Sequence, residues 1–154
     1  MPVHVLCFGN EWQGDDGFGL HVLRRLRNER RLPKHVQIFE AGTAGLNALP
    51  QLEGCHKAVL VDGLKTGTKF GSLHRLALNA GAVPCHEPSL HGLGVEGLLA
   101  ALPLALAHQA TPKLVLIGAE IGPIVPFTNA LSPALAAAVT GVVDLVVLEC
   151  NRQT

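Results

Sequence analysis

The chain has no tyrosine and one tryptophan, and charged residues make up only 16% of its 154 positions. Basic and acidic residues are equal at 12 each, so no global charge would attract nucleic acid or an anionic membrane. A hydrophobic content of 48% excludes a disordered chain and indicates a packed core. At this length, residues 1–154 are expected to form a single domain.

Targeting and membrane segments are also missing from the sequence. The N-terminus has no basic region before its first apolar stretch, so a secretory peptide is not expected. The uninterrupted apolar run at residues 98–107 is too short to span a bilayer and contains Pro103. The cysteines form no C-x-x-C pair, and Cys7 and Cys150 lie in apolar runs. This pattern predicts reduced thiols in a cytoplasmic protein that does not associate with membranes.

Several catalytic and binding motifs are absent. The chain has no G-x-G-x-x-G or Walker pattern, which disfavours nucleotide binding, and no G-x-S-x-G nucleophile turn. The segment HEPSLH at residues 86–91 resembles a zinc-protease helix but has one residue too many between its histidines. Five residues rotate a helix by roughly 500°, so the two imidazoles would not share a face. Pro88 would also interrupt such a helix.

An acidic, glycine-rich loop is the most informative feature of the chain. Residues 9–19, GNEWQGDDGFG, lie between an apolar strand and an amphipathic helix, where many α/β proteins bind phosphate. Here the loop carries Glu11, Asp15 and Asp16, whose carboxylates would repel a phosphate. A cation, or a partner that carries a metal, fits the loop better.

The order of apolar and polar segments predicts a βαβαββαβα pattern. Strands are predicted at residues 3–9, 35–42, 57–63, 71–78 and 113–120, the fourth being an antiparallel edge strand. Helices are predicted from residue 18 to a stop at Pro33, and at residues 43–54, 89–108 and 132–149. Thr43 and Ser132 are expected to cap the second and fourth helices, and Pro103 is expected to break or bend the third. This pattern predicts a three-layer α/β/α sandwich around a mostly parallel five-stranded sheet.

Polar residues follow the predicted strands at the edge where open α/β sheets form their sites. If the strand order begins 2-1-3, the acidic loop and Asp62 flank one crevice, and His91 precedes the helix beside it. Asp16, Asp62 and His91 would then supply two carboxylates and an imidazole, a donor set that suits a divalent transition metal. Other polar residues past strand ends are Asn10, Glu40, Thr43, His86 and Glu120.

Each of these residues also has a purely structural interpretation. Asp15 or Asp16 can cap the following helix, and Asp62 can accept hydrogen bonds from turn amides. His91 can be an ordinary packed or surface histidine. The basic segment at residues 24–34 can be a solvated helix end or a partner-docking patch. The site is therefore predicted from the convergence of several residues and not from any one of them.

The quoted segments together resemble one known family. FGNEWQGDDGFGLHVLRRL is similar to the N-terminal signature of the nickel–iron hydrogenase maturation endopeptidases. EAGTAG, KAVLVDG and SLHGLG resemble three further segments of that family, and GAEIGP followed by FTNALSPALAAAV resembles its C-terminal pattern. The resemblance runs in register over nearly the whole chain. Trp12, Glu40 and Ala119 depart from the usual family residues, and none of them is at a ligand position.

This resemblance implies an activity and a partner. Members of the family cut a short C-terminal extension from the hydrogenase large-subunit precursor after nickel has been inserted. The nickel-contacting residues would be Asp16, Asp62 and His91, with Asp16 and Asp62 also serving catalysis and Asp15 supporting the loop. The resemblance implies that nickel arrives with the precursor and that the protein is a monomeric peptidase of the aspartic or metal-dependent type. The alternative is a non-catalytic chaperone or checkpoint that binds the nickel-loaded precursor without cutting it.

Overall fold

The strands and helices follow the predicted order in the computed structural model, which describes residues 2–43, 45–78 and 95–153. The strands are β1 Val3–Phe8, β2 Val36–Gly42, β3 Lys57–Leu64, β4 Leu73–Leu78 and β5 Lys113–Glu120. The α-helices are α1 Phe18–Glu29, α2 Val95–Ala105 and α3 Pro133–Asn151, and two 3-10 helices cover Gly14–Gly17 and Gly45–Leu52.

The five strands form one sheet in the order β2-β1-β3-β5-β4. Neighbouring strands from β2 to β5 are parallel, and β4 runs antiparallel to β5 at the edge. The predicted α/β fold with one antiparallel edge strand is confirmed. The order 2-1-3 also holds, so strand order reverses between β1 and β3, the place where open α/β sheets usually form their sites.

Two apolar clusters cover the two faces of the sheet. Strand β1 is buried along its whole length, and its side chains alternate between the clusters. Val5 and Cys7 pack with α1 and α3, whereas Leu6 and Phe8 pack with the second 3-10 helix and α2. A parallel strand that is covered on both faces needs apolar residues at consecutive positions, and this requirement explains the VHVLCF run.

Some helix bounds differ from the prediction. Helix α1 ends at Glu29, before Pro33, because Arg30 adopts a left-handed conformation with φ of 50° and donates its N–H to Leu26. Residues 45–52 form a 3-10 helix and not an α-helix. Pro103 lies inside α2, which continues to Ala105. The beginning of the helix predicted at residue 89 falls outside the described residues.

The basic end of α1 forms ion pairs on the protein surface. Arg31 lies 3.1 Å from Glu29 and 2.8 Å from Asp144 of α3, and Arg25 pairs with Glu29 one helical turn away. These side chains are all substantially exposed, so each pair stabilises the fold only slightly. The pairs agree with a solvated helix end, and partner docking by this segment stays a prediction.

Helix α3 is long and apolar enough, by length and composition alone, to cross a membrane. In the fold it packs on the sheet through buried residues that include Leu135, Val142 and Val146. Core helices of globular domains satisfy the same length and composition test, so this helix is weak evidence for a membrane span. A prediction based on uninterrupted apolar runs misses α3, because Asp144 divides its apolar sequence.

Candidate active site

The acidic loop folds back on itself at the carboxyl end of β1. The Gly9 N–H donates to Gly42 at the end of β2, and the Asn10 N–H donates to the Asp16 carbonyl at 3.1 Å. The Asp16 N–H in turn donates to Gln13. Gly9 has φ of +147°, and a Cβ there would lie 2.4 Å from the Asp16 carbonyl oxygen. Only glycine allows this close approach, which fixes the backbone of the partly exposed Asp16.

Asp15 is buried and joins this loop to the start of α3. Its carboxylate accepts the backbone N–H of Ser132 at 2.7 Å and the Ser132 hydroxyl at 2.8 Å. The N-cap of α1 is Gly17, so neither Asp15 nor Asp16 stands at the cap position that the structural alternative gave to one of them. Ser132 is the N-cap residue of α3 as predicted, although its side chain makes no capping bond. Asp15 therefore supports the fold between two distant segments.

Asp62 is buried at the carboxyl end of β3, on the strand next to β1. Burial raises its pKa well above the usual value, and the nearby charge of Asp16 raises it further. A hydrogen bond of 2.8 Å from the Gly63 N–H opposes this shift. A Cβ at Gly63 would lie 3.4 Å from the Asp15 carbonyl oxygen, so this end of β3 lies against the acidic loop. The hydrogen bond from the Gly63 N–H also agrees with the structural alternative, in which Asp62 accepts hydrogen bonds from backbone amides at the end of its strand.

The remaining predicted ligand, His91, lies outside the described residues, as does His86. Within residues 2–43, 45–78 and 95–153, no three His, Cys, Asp or Glu residues are grouped so that they could hold a metal. The metal role of Asp16, Asp62 and His91 therefore stays a prediction.

Glu120, another polar residue at a strand end, has a structural role. Its buried carboxylate accepts both the N–H and the hydroxyl of Thr66, together with the Gly67 N–H and the Thr68 hydroxyl. Burial raises the pKa of Glu120, but the hydrogen bonds from Thr66, Thr68 and Gly67 outweigh it, and the pKa is lowered. Glu120 thereby holds the loop after β3. Glu40 and Thr43 are exposed at the end of β2.

The segment after β5 packs beside the acidic loop, a contact that the sequence did not reveal. The Gly14 N–H donates to the Thr128 carbonyl at 2.9 Å, and Gln13 pairs with Thr128 in a parallel bridge. His21 Nε2 lies 3.0 Å from the Asn129 carbonyl oxygen. Two segments more than 100 residues apart thus form one wall next to Asp16.

A family model described as hydrogenase maturation protease matches residues 20–149, most of the chain. The chain belongs to the hydrogenase maturation protease family. The match covers Asp62 and the segment around Ser132, although it begins just after the acidic loop.

Individual relatives extend this similarity to nearly the whole chain. The hydrogenase expression/formation protein HupD of Rhodobacter capsulatus is 28% identical, over 98% of this chain and 70% of its own length. The hydrogenase 2 maturation protease of Escherichia coli K12 is 27% identical, over 77% of this chain and 72% of its own length. The solved structure of the hydrogenase maturating endopeptidase HybD from E. coli superposes with a TM-score of 0.81 at 25% identity, covering 97% of this chain and 91% of that one.

In a hydrogenase maturation protease, the Asp16–Asp62 pair offers two kinds of chemistry. A buried carboxylate with a raised pKa keeps its proton to higher pH than an ordinary carboxylate and can exchange it with water or an amide. A cation bound to both carboxylates would reduce the repulsion between them. Both properties are useful for hydrolysing a peptide bond near a metal ion.

Proposed function

We propose that this hydrogenase maturation protease removes the C-terminal extension of a nickel–iron hydrogenase large-subunit precursor after nickel insertion. Nickel enters as part of the substrate, and Asp16, Asp62 and His91 contact it. Membership of the family supports the protease activity. The observation that carries the nickel proposal is the position of the buried Asp62 near the carboxyl end of β3, directly before Gly63, which lies against the acidic loop that carries Asp16.

The donor set accounts for a metal-bearing substrate. Asp62 is buried and Asp16 is partly exposed, so a ligand can approach the pair from the Asp16 side. Burial and the charge of Asp16 both raise the pKa of Asp62, because each disfavours its ionised form. A bound divalent cation would favour the ionised form and so counteract both effects. Two carboxylates and the His91 imidazole leave coordination positions for ligands that the precursor itself supplies.

Two mechanisms are compatible with this arrangement. In the first, nickel on the precursor would polarise the scissile carbonyl, and Asp16 or Asp62 would take a proton from the attacking water and pass it to the amide nitrogen as the C–N bond breaks. In the second, nickel only docks the precursor, while Asp16 transfers protons between the water and the leaving amide nitrogen. The mechanisms differ in whether the loss of one carboxylate abolishes binding or turnover.

Purified nickel-loaded precursor distinguishes the two mechanisms. We expect Asp16→Asn, Asp62→Asn and His91→Ala each to leave the precursor at full length in intact-mass measurements. Loss of binding in all three variants supports docking, whereas retained binding with lost turnover supports catalysis. Asp144→Asn, an exposed carboxylate on α3, is the matched control and should cleave normally.

The precursor without nickel provides the second control, because the proposal requires it to remain uncut. Normal cleavage by all three site variants would overturn both mechanisms. If the wild-type protein binds nickel-loaded precursor but leaves its mass unchanged, the protein is the non-catalytic chaperone or checkpoint described above.

A further inference from the structure

Three large apolar side chains project into solvent from the acidic loop and from the segment that packs on it. Trp12 is 58% exposed, Val125 is 59% exposed and Phe127 is 89% exposed. Trp12 is the single tryptophan of the chain and lies in the loop that carries Asp16. We call Trp12, Val125 and Phe127 the apolar rim. Exposed aromatic side chains that lie together are typical of binding surfaces.

Backbone hydrogen bonds hold the rim together. Gln13 pairs in parallel with Thr128, so the residues that precede them, Trp12 and Phe127, lie on adjacent chain segments. A Cβ at Gly14 would lie 3.0 Å from the Val125 carbonyl oxygen, so the loop is packed directly on that residue. The rim is therefore one surface fixed to the backbone that positions Asp16, and it does not consist of three unrelated exposed residues.

The backbone at Phe127 is strained. Its φ of 63° lies in the left-handed region, which costs a residue with a Cβ about 1–2 kcal/mol. Among the described residues the other non-glycine with positive φ is Arg30, which ends helix α1. Phe127 ends no helix, and its ring is exposed, so burial of the ring does not offset the strain. Strained backbone positions of this kind cluster at ligand-binding and functional sites.

We propose that the apolar rim docks an apolar segment of the hydrogenase large-subunit precursor next to its nickel. This inference rests on the proposed function, because it takes the precursor as the occupant. The Asp16 N–H donates to the carbonyl of Gln13, the residue after Trp12, so the rim belongs to the loop that positions Asp16. A precursor that docks on this loop has the rim within its contact area. The carboxylates recognise a cation, whereas the rim supplies the apolar contact area that an ion lacks.

Binding of nickel-loaded precursor to rim variants tests the proposal. Trp12→Ala and Phe127→Gly should each weaken binding by about tenfold or more, as expected for a central aromatic contact. Phe127→Gly should also leave the thermal unfolding midpoint unchanged or raise it, since glycine relieves the strain. A gain or retention of stability together with a loss of binding is not expected of a structural residue. Leu104→Ala, an 85% exposed position on α2, is the control and should bind normally.

The outcomes separate the rim from the proposed function. If both rim variants bind and cleave the precursor as the wild type does, the rim proposal is overturned while the function stands. If the wild type binds the precursor without cutting it and the rim variants bind it weakly, the proposed protease function is contradicted and the rim proposal is supported. If the wild type does not bind the precursor, both fail. If the rim variants lose only self-association in sedimentation measurements, the rim joins two copies of this chain and the proposal is also wrong.

Discussion

Asp15 and Ser132 are joined by two hydrogen bonds across 117 positions of sequence. The buried carboxylate accepts the backbone N–H at 2.7 Å and the hydroxyl at 2.8 Å. These bonds attach the acidic loop to the first turn of α3. Hydrogen bonds to a buried carboxylate are stronger than those between neutral groups in water. If one of the two bonds is lost, a buried carboxylate oxygen has no donor, which costs free energy.

Removing either partner should therefore destabilise the protein. We expect Ser132→Ala and Asp15→Ala each to lower the free energy of unfolding by about 1–3 kcal/mol, measured by urea denaturation. The double variant should lose less than the sum of the two single losses, because each single change already breaks the shared hydroxyl contact. Strictly additive losses would show that the two side chains do not act together.

Gly9 is the position where a single methyl group should disturb the site most. In Gly9→Ala the new Cβ would meet the Asp16 carbonyl oxygen at 2.4 Å, in addition to the cost of a positive φ. We expect a loss of about 2 kcal/mol or more in unfolding free energy, together with reduced cleavage of the precursor. Both follow because the backbone of Asp16 has to move.

Gly54→Ala is the matched control for that change. Gly54 also has positive φ, +75°, but a Cβ there meets nothing within 4 Å. We expect a loss of about 1 kcal/mol from the backbone conformation alone, with normal cleavage. Equal effects of the two alanines on stability and cleavage would mean that the contact with Asp16 does not matter.

Glu149 should make the protein sensitive to acid. Its buried carboxylate lies 2.8 Å from Lys57 Nζ and 2.7 Å from Arg75 Nε. Burial raises the pKa of Glu149, but the bonds and charges of Arg75 and Lys57 outweigh it and lower the pKa to about 2. A lowered pKa stabilises the fold above the ordinary value of 4.5, and this stabilisation is lost as the pH falls from 4.5 towards 2.

In Glu149→Gln, the free energy of unfolding should fall less steeply between pH 4.5 and pH 2 than in the wild type. Urea denaturation at a series of pH values from 2 to 7 measures this. At neutral pH it should cost about 3 kcal/mol or more, because buried Lys57 loses its counter-charge. Glu29→Gln is the control, since Glu29 lies on the surface and its pKa is lowered by hydrogen bonds from Arg31 and Arg25. It should change stability little. The same acid slope in Glu149→Gln and wild type would contradict the assignment.

The sheet could be predicted because its determinants are local. Consecutive apolar residues, as in VHVLCF, mark a strand that is covered on both faces, and alternation marks the edge strand β4. The prediction that Asp62 lies beside the acidic loop followed from strand order, since the loop follows β1 and Asp62 lies near the carboxyl end of the neighbouring parallel strand β3. Helix ends were harder to place. The turn at Arg30 depends on a left-handed conformation that its side chain does not signal.

Contacts between distant loops could not be predicted. Nothing near Ser132 indicates that its hydroxyl bonds Asp15, and nothing near Trp12 indicates that Phe127 lies on the adjacent segment. Glu120 resembled a site residue because it ends a strand, yet its oxygens hold the Thr66 loop. Such roles depend on loop geometry that only the folded chain establishes. The metal-binding role of His91 lies beyond the described residues and stays a prediction.

The buried cysteines give a last prediction. Cys7, Cys55 and Cys150 are buried and free, and burial raises the pKa of the Cys55 thiol to about 11 and that of the Cys150 thiol to about 12. Burial likewise raises the pKa of Cys7. Since the thiolate is the nucleophile, the native protein should resist iodoacetamide at these three positions at pH 8, and urea should expose all of them. Peptide mass mapping checks this, and alkylation of native Cys7 as fast as that of a free thiol would contradict its place in the core.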